Sequence, residues 1–342
     1  LLGALCLAIV GGVSLGAARG TTLASSPGKH ARALTTVTFI LNWLPNVEFD
    51  GLWMAQKFGW WQKAGLKLAF KPYANGVNPE TDVPARGGDT FGFQSAAALA
   101  IAASKGVPDV SLYADTQESV FGLTVLKSSG ITSLKQLKGR KVGYQPHELY
   151  VPETMLAYVG LTAGRDYTTV PVLFDLTQLT SKNVDAYLTF VTNEPIALSL
   201  QGIQSRTFPA ASYGFHAYDD VMFTTSGLIH TNPALVRTVT SIVARGFKWA
   251  HSHPQQAAQY TVANYFPAST AGNGVTAAAN LKQQKLEAQA FTPYSRDSTG
   301  QFRGLMSTGV WAALINTLYK YHEITKKPNA ATVYTNSFNP YH

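Results

Sequence analysis

"SLKQLKGRKVGY", residues 133–144, is the point at which the chain starts over. Ser133 stands where a helix cap belongs, Gly139 stops the short helix that follows, and the run to Tyr144 reads as a strand. One strand–helix series precedes this stretch and a second issues from it. Upstream, "VTFIL" (37–41) is a strand, and Asp50 then caps a helix with apolar positions at Leu52, Ala55 and Phe58, closed by Gly65. "LKLAF" (66–70) and "DTFGF" (89–93) are strands, the latter running into the small-residue helix "SAAALAIAASKG" that ends at Gly106. Extended segments follow near 110–114 and over 121–127. Downstream, Pro152 opens a helix over 152–159, followed by Gly160, and "TVPVLF" and "VDAYLTFV" are strands. "NEPIALSLQG" is a helix with Asn193 as cap, Pro195 in its first turn and Gly202 at its end. "DVMFTTSGLIH" (220–230) returns to strand character, and the remainder is helical over 233–251, 254–265 and 304–321. Strands alternating with helices predict an α/β fold with largely parallel sheets. The tail is too helical to form a sheet domain, so it folds back on the first series. That gives two lobes, 36–120 and 121–218, with 219–342 returning to the first lobe, and two hinge crossings near 114–126 and 217–226.

Bulk properties exclude several classes. The chain has 342 residues, 46% of them apolar, and a net charge of +8. The charge invites a nucleic-acid reading, but the densest basic group, Lys135, Lys138, Arg140 and Lys141, reads as a solvated face without interleaved aromatics. No nucleic-acid partner and no zinc spacing is expected. Residues 1–18, "LLGALCLAIVGGVSLGAA", match the apolar core of a secretory signal peptide whose basic start lies outside the sequence, with cleavage near Ala18. An anchoring helix is the alternative. Ala31-Arg32-Ala33 also has the small-x-small form but lies far from the apolar run, and 19–35 read as a flexible lead-in. Cys6, the single cysteine, falls within the signal segment, so a cleaved chain would hold no disulfide, thiolate metal site or cysteine nucleophile. Leu5 before it is not the small residue that lipidation favours.

Four phrases carry a family likeness. "NWLPNVEFDGLWMAQKFGWWQKAGL" (42–66) resembles the opening of the periplasmic-type binding proteins related to thiamine-pyrimidine synthases: Trp-x-Pro-Asn, a short polar run, Gly, a helix, an aromatic pair and Gly-Leu. Asp89-Thr90-Phe91-Gly92 resembles their D-F-G strand, "SLKQLKGRKVGY" the phrase that opens their second lobe, and "VDAYLTFVTNEPIALSLQG" the strand and helix that complete it. The likeness covers about residues 37–340 in the family's order. It implies a type II periplasmic-binding-protein fold that closes on a ligand like a trap, exported to the periplasm or the outer face of the cytoplasmic membrane and feeding an ABC importer permease. The ligands it implies are formylaminopyrimidine, hydroxymethylpyrimidine and riboflavin, with sulfonates and nitrate among more distant relatives. Many relatives carry His in the polar run, where this chain has Phe49. The eukaryotic-type synthases also carry a cysteine-rich motif, absent here. Both departures weigh against synthase activity with pyridoxal phosphate.

In open α/β sheets, ligands lie beyond the carboxyl ends of strands. That rule selects Asn42 and Trp43, Gln94 and Ser95, Thr116 and Gln117 beside Asp115, Gln145, and Asn193 and Glu194 after Thr192. Asn46 and Phe49 of the opening run and Tyr150, a lid candidate, complete the expected ligand-binding set. Amides, hydroxyls and an aromatic suit a flat, nitrogen-rich ring, with Trp43 stacking on it and Asn42, Gln94 and Gln145 pairing with its edge. Each has a plainer reading. Trp43 would pack between lobes, Asn42 would serve a turn, Ser95 and Asn193 would cap helices, and Glu194 would sit at a helix dipole. Trp60 and Trp61 would pack at a helix end.

Glu194 favours a ligand bearing N–H donors, and no arginine falls at these strand ends, so neutral heterocycles rank above oxyanions. The leading expectation is therefore a monomeric, non-enzymatic binding component of an importer, without metal or cofactor, taking a pyrimidine-like or flavin-like molecule. A pyridoxal-phosphate enzyme would need a cleft lysine, which these ends lack. An oxyanion-binding protein is the third reading. His147 beside Glu148 suggests a general base, but no nucleophile motif accompanies it, and His216, His251 and His253 receive no role.

Overall fold

The computed structural model describes residues 33–74, 77–145, 148–173, 176–271 and 275–342. The expected signal segment, Cys6, most of the lead-in, and His147 lie outside the described residues.

The first strand series gives β1 (Thr35–Ile40), β2 (Leu66–Lys71), β3 (Thr90–Gln94) and β4 (Asp109–Ala114). Between them lie α1 (Asp50–Lys57), α2 (Trp60–Lys63), α3 (Pro79–Arg86) and α4 (Ala96–Ser104). The second series gives β5 (Phe121–Leu126), β6 (Lys141–Tyr144), β7 (Thr168–Pro171), β8 (Ala186–Phe190) and β9 (Ser205–Pro209), with α5 (Tyr150–Tyr158), α6 (Thr177–Thr180) and α7 (Glu194–Leu200). The chain then returns through β10 (Val221–Thr225) to α8 (Ser226–Thr231), α9 (Pro233–Ser252), α10 (Pro254–Asn264), α11 (Ala268–Ala271), α12 (Ala277–Tyr294) and α13 (Thr308–Lys320).

Two five-stranded sheets form, in the orders β2-β1-β3-β10-β4 and β7-β6-β8-β5-β9. The sheets are mixed rather than uniformly parallel. β10 is antiparallel to β3 and β4, and β5 is antiparallel to β8 and β9. The reason is topological. Each of these strands is the first after a crossing, so it enters its sheet from the side on which the other strands end.

Local chemistry corrects several expectations. Asp50 does not cap a helix. The Asn46 side chain accepts the Glu48 N–H at 3.1 Å and starts a 3₁₀ turn, Val47–Phe49, that runs into α1. Asp50 is the first residue of α1 and accepts a hydrogen bond from the Thr261 hydroxyl of α10. "SGLIH" continues no strand, because the Thr225 hydroxyl accepts the Leu228 N–H at 3.1 Å and begins α8. The helices α3 and α12 and the strand β9 were not expected.

The α1 and α9 helices lie against one face of the first sheet, where Phe39, Phe91, Phe93, Trp53 and Phe247 form a buried aromatic core. Trp61 is fully buried and donates from Nε1 to the Leu52 carbonyl, while Arg245 lies over Trp60 at 3.8 Å. The tail does more than return to the first lobe. Residues 333–335 cover the free edge of β4, with Ser111 N donating to Val333 O and Thr335 N to Ser111 O. Helix α13 touches both α4 and α5. Among the described residues no helix is long and apolar enough to cross a membrane.

The two crossings, 115–120 and 214–220, are bonded to each other. Asp115 N donates to Asp220 O at 2.8 Å, the Thr116 hydroxyl accepts the N–H groups of Asp219 and Asp220, and an Asp219 carboxylate oxygen accepts Val120 N at 2.6 Å.

Candidate functional site

A cavity of about 480 Å³ is walled by residues of both sheets' strand ends, the second crossing and α12. Asn42 and Trp43 follow β1, and Gln94 and Ser95 close β3. Gln145 follows β6, and Asn193 and Glu194 follow β8. Asn46 and Tyr150 also reach the wall, so nine of the expected residues converge there.

Their bonds show how each is held. Trp43 and Tyr73 lie ring to ring at 5.6 Å and 30°. Gln94 donates to a Glu80 carboxylate oxygen at 2.8 Å and accepts Ser95 N, while Ser95 caps α4 by accepting Ala98 N at 3.2 Å. Gln145 donates to the Leu188 carbonyl at 3.0 Å, and the Tyr150 hydroxyl donates to Glu148 at 3.1 Å. Asn193 stands at the start of α7, but its side chain makes no capping bond. Glu194 instead turns back to accept Phe190 N at 2.8 Å.

Three expected residues are not brought to the cavity. Phe49 is fully buried in the first lobe's core, edge-on to Phe93 at 5.4 Å. Thr116 is buried in the crossing and spends its hydroxyl there. Gln117 donates its side-chain N–H to Ala114 O, and its backbone N–H goes to Tyr294 O. β4 ends where the chain leaves the lobe, so polar groups at that end secure the crossing.

The wall also holds residues that sequence reasoning passed over: Glu48, Glu80, Glu148, Asp219, Glu287 and Phe291. Glu287 accepts from Gln283 and from Gln284, each at 2.8 Å, and Gln284 also accepts Val47 N at 3.3 Å. Helix α12 thus ties its carboxylate to the loop after β1. Glu48 and Glu148 were visible as loop residues beside Asn46 and Tyr150, and that adjacency was the available signal.

Burial governs the electrostatics. It lifts Glu194 to about 7 against the bond from Phe190 N, and Glu287 to about 8 against the bonds from Gln283 and Gln284. It lifts Glu148 to about 8 against the bond from Tyr150. Burial first, and the Asp220 charge second, push Glu48 well above the carboxylate range. Lys105 is the one cationic side chain among the described residues of the wall. It is exposed, and ten residues beyond Ser95 at 1.5 Å per residue put it about 15 Å down α4. Among the described residues no group of His, Cys, Asp and Glu is arranged to hold a metal ion.

The raised carboxyls give stability a pH dependence. Each binds its proton more tightly folded than unfolded, so its contribution is full below about pH 4.5 and is lost as pH rises through 7 to 8. Unfolding free energies from urea titrations taken from pH 8 down to pH 5.5 should rise, by at least about 1.4 kcal/mol, the worth of one pKa unit on one group. Glu287→Gln should flatten the profile. A flat wild-type profile would contradict the burial of these groups.

A family model described as NMT1/THI5 like matches residues 46–257. The 4-amino-5-hydroxymethyl-2-methylpyrimidine phosphate synthase of Legionella pneumophila is 25% identical, over 65% of this chain and 71% of its own. The formylaminopyrimidine-binding protein of Halalkalibacterium halodurans is 24% identical, over 68% and 71%. The riboflavin-binding protein RibY of Chloroflexus aurantiacus is 21% identical, over 92% and 90%. Among solved structures, the periplasmic aliphatic sulphonate binding protein SsuA of Escherichia coli superposes with a TM-score of 0.65 at 14% identity, covering 87% of this chain and 91% of its own. That likeness establishes the two-lobed periplasmic-binding-protein fold.

Proposed function

The chain belongs to the NMT1/THI5-like family, and from that premise we propose that it is the exported substrate-binding component of an ABC-type importer. Its ligand is a small nitrogen heterocycle, a thiamine-pyrimidine precursor or a riboflavin-like compound, held between the lobes and passed to a permease by the monomer. The observation that carries this reading is the composition of the wall: aromatic rings at Trp43, Tyr73 and Phe190, edge-binding amides at Asn42 and Gln145, carboxyls, and no arginine among the described residues. Hinge closure across the two crossings fits a trap.

Two alternatives are weaker on specific grounds. Relatives named as pyrimidine phosphate synthases share the family, but a pyridoxal-phosphate enzyme needs a lysine at the cofactor, and Lys105 lies exposed at the far end of α4. An oxyanion would face Glu48, Glu148 and Glu194 with no guanidinium among the described residues of the wall to receive it.

Isothermal titration with 4-amino-5-hydroxymethyl-2-methylpyrimidine, riboflavin, pyridoxal phosphate and an alkanesulfonate tests the proposal. Binding of the pyrimidine or the flavin is expected. Trp43→Ala should then weaken it up to about tenfold, the upper range of an aromatic stacking contribution. Tight binding of the sulfonate or of pyridoxal phosphate in place of both would replace this reading with the corresponding alternative.

A further inference from the structure

The cavity wall is strongly acidic. Glu48, Glu148, Glu194, Asp219 and Glu287 reach it from separate parts of the chain, and Lys105, the one lysine among the described residues of the wall, stands exposed at the end of α4. Four of these five have a carboxylate oxygen engaged by an N–H or O–H donor. Glu48 differs. Its side-chain bond is to another acid, Asp220, it is 6% exposed, it lines the cavity, and its Oε1 has no hydrogen-bond partner. Asn42 Oδ1, on the same lobe's wall, is likewise buried without a partner. Asn42 Oδ1 is an acceptor and Glu48 Oε1 becomes one when its carboxyl ionises, so what meets both is a donor, and leaving either unmet is costly.

The groups around Glu48 decide the charge of that donor. Asp220 of the second crossing, Glu287 of α12 and Asp115 of the first crossing all face it, and all are acids. His251 of α9, which acts on Asp220, is held by Asp115 at 2.8 Å. Glu287 in turn faces Glu194. Carboxyls packed this closely cannot all be ionised unless a positive charge comes among them. Trp43, Tyr73, Phe190 and Phe291 also line the cavity, and aromatic rings attract such a charge.

Building on the importer reading above, we propose that the ligand is bound as a cation. A protonated, N–H-bearing nitrogen on the heterocycle meets Glu48 and Asn42, and its charge takes the place of a carboxyl proton, which leaves to solvent. The buried carboxyls hold protons near neutral pH, since burial puts Glu194 at about 7 and Glu148 and Glu287 at about 8. Cation entry is therefore linked to proton release, and affinity rises with pH for as long as the ligand stays protonated.

The test uses a matched pair: 4-amino-5-hydroxymethyl-2-methylpyrimidine and its 5-aminomethyl counterpart, an ammonium ion at neutral pH. Titration calorimetry at pH 6 and pH 7, in buffers of different ionisation enthalpy, counts protons. The amine is expected to bind at least about tenfold tighter, to release about one proton, and to tighten by about tenfold per pH unit, the slope of a one-proton exchange. Glu48→Gln should abolish the preference and the proton release. Should that variant not fold, the wild-type proton count with the matched pair decides alone. Equal or tighter binding of the hydroxymethyl compound without proton release overturns the cation proposal and leaves the heterocycle importer standing. If neither pyrimidine binds, benzylamine separates the two readings: binding with proton release retains the cation and removes the heterocycle, and no binding overturns both.

Discussion

Gly246→Ala should destabilise the protein by about 3 kcal/mol or more, the upper end of what overpacking a core costs. Helices α1 and α9 meet through Gly51 and Gly246. A Cβ on Gly246 would stand 1.9 Å from the Gly51 carbonyl oxygen and 2.8 Å from its carbon. These are backbone atoms, so no rotamer change relieves the clash, and α1 itself must move. Yet α1 is fastened at several points. Trp53 is fully buried, stacked on Tyr265 at 4.0 Å and bonded through Nε1 to Asn46 O, and Asp50 takes the Thr261 hydroxyl. Replacing a helical glycine by alanine otherwise gains about 1 kcal/mol, so the clash acts against a favourable propensity change. Gly309→Ala in α13 provides the control. The nearest atom to its Cβ is 4.0 Å away, and a stabilisation of about 0.5–1 kcal/mol is expected. Urea denaturation of both variants checks the pair, and equal responses would refute the close approach. The consequence reaches the site, because the turn carrying Asn46 and Glu48 leads directly into α1.

The opening run, "LNWLPNVEFDGLWMAQKFGWW" (41–61), shows what a sequence discloses about such a site. Strand-end logic selected Asn42, Trp43, Gln94, Gln145 and Glu194, and all five line the cavity. It depends only on where strands stop, which apolar patterning marks well. It did not hold at Thr116 and Gln117, because β4 ends at a crossing and the polar groups there bind backbone. The two antiparallel strands escaped for a related reason: direction follows from which lobe the chain has just left, and no local residue encodes that. Helix α12 was illegible on different grounds. Its buried side chains include Asn280, Gln284 and Glu287, so it buries a polar face, and hydrophobic periodicity is blind to such a helix. The acids of the wall were each plain to read as letters. Their significance lies in burial and in one another, and both are set by distant parts of the chain.

His251→Ala should cost about 1–3 kcal/mol, the range for leaving a buried polar group without its hydrogen-bond partner. His251 is 8% exposed and Asp115 is 3% exposed. The imidazole Nε2 lies 2.8 Å and 3.1 Å from the two Asp115 oxygens, and its ring stacks on Phe302 at 5.1 Å and on Phe247 at 6.0 Å. Alanine leaves Asp115 with the Ser295 hydroxyl at 3.3 Å as its side-chain partner and opens a gap between two aromatic rings. The damage extends along the crossing. Asp115 N is bonded to Asp220 O, and Asp220, raised by burial and then by the Asp115 charge, is drawn down first by its hydrogen bond with Glu48 and only then by His251. Removing the imidazole takes away the smaller of the two lowering influences on Asp220, which shares its hydrogen bond with Glu48 on the cavity wall. His251→Gln, which retains a donor, should recover part of the stability. Equilibrium denaturation gives the first quantity. Calorimetric titration of a bound heterocycle gives the second, a proton count that should differ between His251→Ala and the wild type. A loss below about 1 kcal/mol would mean that the pair is solvated, since exposed pairs contribute no more than that, and the crossing would then be held by its backbone bonds and by the Thr116 and Asp219 side chains.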